Sequence, residues 1–164
     1  MLGALMFLSK LLMEFLPNIH LVGTLIAACT LVYRKKALVP IYVYVLLVGA
    51  YGGFSLWWVP YIYIWTILFL IIMIIPKNTE PKKLMVVAPM LTSLHGLCYG
   101  TLYAPCQAIM FDLNPEQTLA WIIAGIPFDI IHAIGNLALG FLIYPLTKLL
   151  TKLSLQIGIL QPDE

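Results

Sequence analysis

Asp129, His132 and Asn136 stand at i, i+3 and i+7 of an otherwise apolar stretch, so a helix there carries a carboxylate, an imidazole and an amide on one face. Such groups are costly in a bilayer and turn toward a bundle interior or a cavity. Two readings stay open: interhelical hydrogen bonds that hold a bundle together, or the lining of a solute pocket. His95, Tyr99 and Tyr103 follow at successive i+4 steps with Gln107 one turn further, a stripe that argues for a lined cavity. Lys10 and Glu14 also lie one turn apart. They either neutralise each other, or Glu14 accepts a ligand near an outer mouth while Lys10 orients it. Trp57, Trp58, Tyr61, Tyr63 and Trp65 crowd beside Gly52-Gly53 and Pro60. They suit an interfacial aromatic belt and, equally, a stacking wall for a flat ring.

His95, His132, Asp129 and Glu14 also hold the groups of an acid–base pair or a metal site. Against a membrane-embedded enzyme, the chain has no H-E-x-x-H, no Ser or Cys nucleophile in a recognisable setting and no second acid near Asp129. We therefore expect no catalytic residue, no metal and no cofactor. Cys29, Cys98 and Cys106 form an odd set without metal-ligand spacing and read as small apolar helix residues.

The elements that must position these groups are helices in a membrane. Of 164 residues, 62% are hydrophobic and 10% charged, far from the soluble composition of about half apolar and a quarter charged. Ala37 to Ile75 and Leu84 to Phe111 contain no charge, and Gln117 to Thr147 contains only Asp129. A hydrocarbon core of about 30 Å takes about 20 apolar residues of helix, and these runs lack the alternation of a β-barrel. The first segment reads as a span and not a signal peptide, because Lys10 and Glu14 interrupt it and no basic leader precedes it. The spacing predicts an all-α integral membrane protein, one six-transmembrane-helix bundle over 1–164. Its segments run approximately 2–16, 20–33, 37–51, 56–75, 84–109 and 117–153.

Every Lys and Arg except Lys10 falls at Arg34-Lys35-Lys36, at Lys77, Lys82 and Lys83, or at Lys148 and Lys152. Six spans place these on one side, and the positive-inside rule then puts both termini in the cytoplasm. Short basic loops flanking spans do not point to nucleic acid. Gly96 and Gly100 make a G-x-x-x-G, and Gly135, Ala138 and Gly140 add a second small-residue face, either for helix packing or for a partner subunit.

The stretches PNIHLVGTLIAACTLVYRKKALVPIYVYVLLVGAYGGFSLWWVPYIYIWTI and PFDIIHAIGNLALG, within six short hydrophobic segments, resemble the S component of energy-coupling factor transporters, nearest the hydroxymethylpyrimidine or pyridoxine branch. The resemblance implies capture of a small heteroaromatic vitamin at the bacterial plasma membrane, with a membrane coupling subunit and two ATP-binding cassette ATPases as partners. The absence of G-x-x-x-x-G-K-[ST] fits ATP handling elsewhere. By position, the resemblance implies a pocket of Glu14, Asn18, His20, Trp57, Trp58, Tyr61, His95, Tyr99, Tyr103, Asp129, His132 and Asn136. It implies partner docking on Gly3, Ala4, Gly96 and Gly100, although the family's A-x-x-x-A is not reproduced, since Leu8 follows Ala4 and Phe7 follows Gly3. The alternative is a structural subunit of a membrane complex, whose polar stripes serve assembly alone.

Overall fold

The computed structural model describes residues 1–161; residues 162–164, the end of the expected domain, lie outside them. The chain folds into helices α1 (Leu2–Leu12), α2 (Val22–Tyr33), α3 (Leu38–Gly52), α4 (Tyr61–Met73), α5 (Pro81–Leu97), α6 (Tyr99–Phe111), α7 (Pro115–Gly140) and α8 (Ile143–Gln156). Short 3₁₀ turns at Arg34–Ala37 and Leu56–Trp58 lead into α3 and α4. Among the described residues there is no strand.

Where boundaries depart from the sequence reading, proline and side-chain capping account for the difference. The first helix stops at Leu12 and not near 16, because Pro17 removes an amide donor and disfavours helical backbone at Leu16. The fifth starts earlier, with Pro81 at its first turn, where a missing N–H costs nothing. It then divides at Cys98. Gly100 N–H, whose partner in an unbroken helix would be Gly96 O, is instead taken by the Asp129 carboxylate. The sixth begins at Pro115 under a capping box: Asn114 accepts from Gln117 N–H at 2.9 Å, and Gln117 accepts from Asn114 N–H at 3.0 Å. It breaks at Phe141–Leu142, since Pro145 has no N–H for the Phe141 carbonyl, and restarts as α8.

Four hydrogen bonds fix the relative run of the helices. Arg34 donates to Ile75 O at 3.0 Å and Met73 O at 2.8 Å, and the Tyr33 hydroxyl bonds Ser154 at 2.7 Å. These gather the basic segments after α2 and α4 and the end of α8 at one end of the bundle. At the other end the Tyr103 hydroxyl donates to Trp57 O at 2.7 Å. Helix α2 lies in the centre, buried from Val22 to Thr30, with α1, α4, α5, α7 and α8 around it. An apolar helix with no polar face belongs in such an interior.

The outer surface is inverted relative to a soluble protein. On α7, Asp129, His132 and Asn136 are 7%, 4% and 2% exposed, whereas Ile130 and Ile134 are 44% and 63% exposed. Val86, Met90 and Leu94 on α5 and Val39, Val43 and Leu46 on α3 also point outward. Polar inside and aliphatic outside is the arrangement a hydrocarbon solvent selects. Three helical stretches, 56–73, 81–111 and 115–140, are long and apolar enough to cross a membrane. Helices α1, α2, α3 and α8 are shorter than the roughly 20 residues a perpendicular span takes.

Candidate functional site

Trp65 is the hub of a continuous aromatic network. Its indole, 1% exposed, meets the rings of His20 (centroids 6.2 Å apart), Tyr44 (5.8 Å), Tyr61 (5.9 Å), His95 (6.0 Å) and Tyr99 (5.9 Å). His132 joins from α7, 5.2 Å from His20 and 5.0 Å from Tyr99. The network extends through Tyr99–Tyr103 at 6.4 Å to a stacked Tyr103–Trp121 pair, and through Tyr61 to Trp57 at 5.7 Å. Seven segments thus contribute: the connector 13–21, α3, the 3₁₀ turn Leu56–Trp58, α4, α5, α6 and α7.

Local sequence explains each placement. Tyr61 and Trp65 are one turn apart on α4, and His95, Tyr99 and Tyr103 keep their common stripe across the break at Cys98. His20 is delivered by a connector that turns at Asn18, whose φ of 58° is a left-handed value that Asn tolerates. The close approach of α7 to α5 and α6 requires glycine. A Cβ on Gly96 would lie 2.8 Å from Asn136 Nδ2, and one on Gly100 would lie 2.6 Å from an Asp129 oxygen.

The network also collects unsatisfied polar atoms. Nδ1 of His20, Oγ1 of Thr24, the hydroxyl of Tyr44, Nε1 of Trp65, Nδ1 of His95 and Nε2 of His132 are buried without a hydrogen-bond partner. All but Thr24 belong to rings that touch Trp65 or His20. An unpaired buried donor or acceptor costs about 1–3 kcal/mol, and native interiors avoid them. Their concentration in one place makes this ring network the candidate site. All three histidines of the chain sit here, yet no group of three or more metal-binding side chains forms among the described residues.

The candidates from sequence therefore divide. His20, Trp57, Tyr61, His95, Tyr99, Tyr103 and His132 meet in the network. Trp58 turns away, donating to Val45 O at 2.8 Å and packing on Phe54 with centroids 5.0 Å apart. Asp129 spends both oxygens on the Gly100 amide, and Asn136 donates to Thr92 O at 3.1 Å. For these two the helix-gluing reading describes the observed bonds. Glu14 is exposed on the connector, and no ion pair joins it to Lys10. Of the residues assigned to partner docking, Gly96 and Gly100 are covered by α7 and Gly3 by Pro40 and Val43 of α3, so only Ala4 is exposed. Sequence reasoning missed Tyr44, Thr24 and Trp121, and left Trp65 undecided between belt and wall. The i+4 step from Tyr61 was a usable signal for Trp65; Tyr44, in a uniformly apolar segment, offered none.

Comparison with models of known families, with characterised proteins and with solved structures finds no match. The fold and site define an all-helical membrane protein with an enclosed aromatic and imidazole cluster.

Proposed function

We propose that this protein is a solute-capture subunit of the energy-coupling factor type, a six-span bundle of the bacterial plasma membrane with its basic end cytoplasmic. It takes a small heteroaromatic vitamin or precursor, pyridoxine or hydroxymethylpyrimidine, into the Trp65 cluster. A membrane coupling subunit and two ATPases supply the energy for uptake, and the chain itself performs no covalent chemistry. One observation carries this reading: the unpartnered buried polar atoms converge among aromatic rings beneath the 13–21 connector. Flat rings stack on such walls, and a few placed polar groups fix orientation. The short helices α1, α2 and α3 would cross a locally thinned bilayer.

Tryptophan fluorescence of the purified chain in detergent tests it. Saturable submicromolar quenching by one of these compounds is expected; a folded, monodisperse sample silent to both sinks the proposal. The assembly-subunit reading draws on a different feature, an apolar groove of about 520 Å³ between α5 and α7, lined by Val86, Met90, Leu94, Leu137 and Phe141 among others. Co-purification of a stable partner whose binding Met90→Trp abolishes, without any solute response, favours that reading.

A further inference from the structure

We propose that His95 and Trp65 set the hydrogen-bonding polarity of the ligand. The cluster takes a neutral, planar nitrogen heterocycle that offers an N–H or O–H donor to His95 Nδ1 and an acceptor to Trp65 Nε1. This rests on the capture reading above and specifies its ligand class.

The argument starts from a carbonyl. His95 Nε2 lies 3.1 Å from Ile64 O, and a carbonyl oxygen can only accept, so Nε2 carries the hydrogen. In the neutral ring Nδ1 is then a bare acceptor. An imidazolium would instead put a second N–H at Nδ1, buried and without an acceptor, which the interior penalises. Trp65 Nε1–H is a donor with no acceptor capacity, and it too lacks a partner. The two rings are neighbours, with centroids 6.0 Å apart and planes inclined by 35°, so the unpartnered acceptor and the unpartnered donor belong to one contact.

The remaining unpartnered groups adapt to what arrives. The hydroxyls of Tyr44 and Thr24 donate or accept as required, and the His20 and His132 nitrogens follow their tautomers. Among the described residues no Lys, Arg, Asp or Glu belongs to the ring network: Lys10 reaches it only as a charge acting on His20, and the Asp129 carboxylate is hydrogen-bonded to Gly100 N–H. A charged ligand would find no ion-pair partner among these rings, which favours a neutral one. Ordered water satisfies the same pattern and is the competing occupant.

The experiment uses the full chain in detergent with ¹⁵N-labelled histidine. The probes are 4-amino-5-hydroxymethyl-2-methylpyrimidine and 4-dimethylamino-2,5-dimethylpyrimidine, which keeps the ring and loses both the amino and the hydroxyl donors. Expected are an Nε2-protonated His95 in the free protein, movement of its Nδ1 resonance on adding the aminopyrimidine, and binding of the dimethylamino compound at least about tenfold weaker. His95→Leu should bind both probes alike. His95→Gln, whose amide can donate to Ile64 O and accept from the ligand, should keep the discrimination. A protonated Nδ1 in the free protein, or equal affinity of the wild type for both probes, overturns the polarity assignment and leaves capture standing. No fluorescence or chemical-shift response to the aminopyrimidine or to pyridoxine, with Nδ1 already hydrogen-bonded to water, overturns capture and assignment together.

Discussion

The Asp129 carboxylate holds the backbone amide of Gly100 with both oxygens, at 3.0 and 3.1 Å, across the α6–α7 contact. A side chain with the credentials of a ligand acceptor thus serves the backbone at a helix break. Asp129→Ala should cost about 1–3 kcal/mol by orphaning that N–H, seen as a lower Tm in detergent. Asp129→Asn keeps an acceptor and should lose less. Normal Tm with abolished ligand binding in Asp129→Asn would instead put the carboxylate on the solute.

Gly96 and Gly125 make a matched pair of opposite sign. A Cβ at Gly96 would press on Asn136 and on the Ala133 backbone N at 3.2 Å, so Gly96→Ala should destabilise by about 1–3 kcal/mol. Nothing lies within 4 Å of a Cβ at Gly125, inside α7. Gly125→Ala should therefore gain about 0.5–1 kcal/mol from helix propensity. Thermal unfolding of the two variants side by side decides the matter.

Trp65 and Trp58 should part company in a fluorescence titration. Trp65→Phe removes the hub indole and should abolish most ligand-dependent quenching. Trp58→Phe loses its bond to Val45 O, so Tm should fall while the quenching amplitude and Kd persist. Loss of ligand response in Trp58→Phe with Trp65→Phe unaffected would place the ligand on the α3 side.

Arg34 clamps two carbonyls at the end of α4 from a backbone with φ of 50°. Its planar fork reaches both; a lysine reaches one. The expected order of Tm is wild type, then Arg34→Lys, then Arg34→Ala, with a total loss of about 2–3 kcal/mol. An unchanged Arg34→Ala would show the clamp to be energetically idle.

Orientation is open to a direct assay. In a cysteine-free background, Glu116→Cys should react with a membrane-impermeant maleimide added to intact cells, and Lys82→Cys should react only after lysis. The reverse pattern would invert the protein in the membrane.

Helix class and the inward turn of the α7 stripe were legible because charge is scarce and a 3.6-residue period survives in apolar sequence. Counting spans was harder. The apolar runs continue through Cys98 and Phe141, where the breaks come from Asp129 acting at a distance and from Pro145 acting ahead of its position. The site was half legible. His95, Tyr99 and His132 announce themselves as polar groups in hydrocarbon sequence, but whether a polar atom is already spent depends on the neighbouring helix. Asn136 meeting Thr92 O, and Asp129 meeting Gly100 N–H, are tertiary facts no spacing encodes. Gly96 stood open between helix packing and partner docking, and its contact with the chain's own α7 required the fold.

Helix α2, enclosed from Val22 to Thr30, bears on biogenesis. Its wall includes α8, with Tyr33 bonded to Ser154, 121 residues further along the sequence. During synthesis α2 emerges early and meets lipid on flanks that the finished protein covers. Helix α8 reaches it only after the five intervening helices α3 to α7 have been made, so a chain cut before Ile143 leaves the α8 side of the central helix uncovered. Closure of the bundle around α2 therefore waits on α8, and quality control in the membrane has the whole of that interval in which to act.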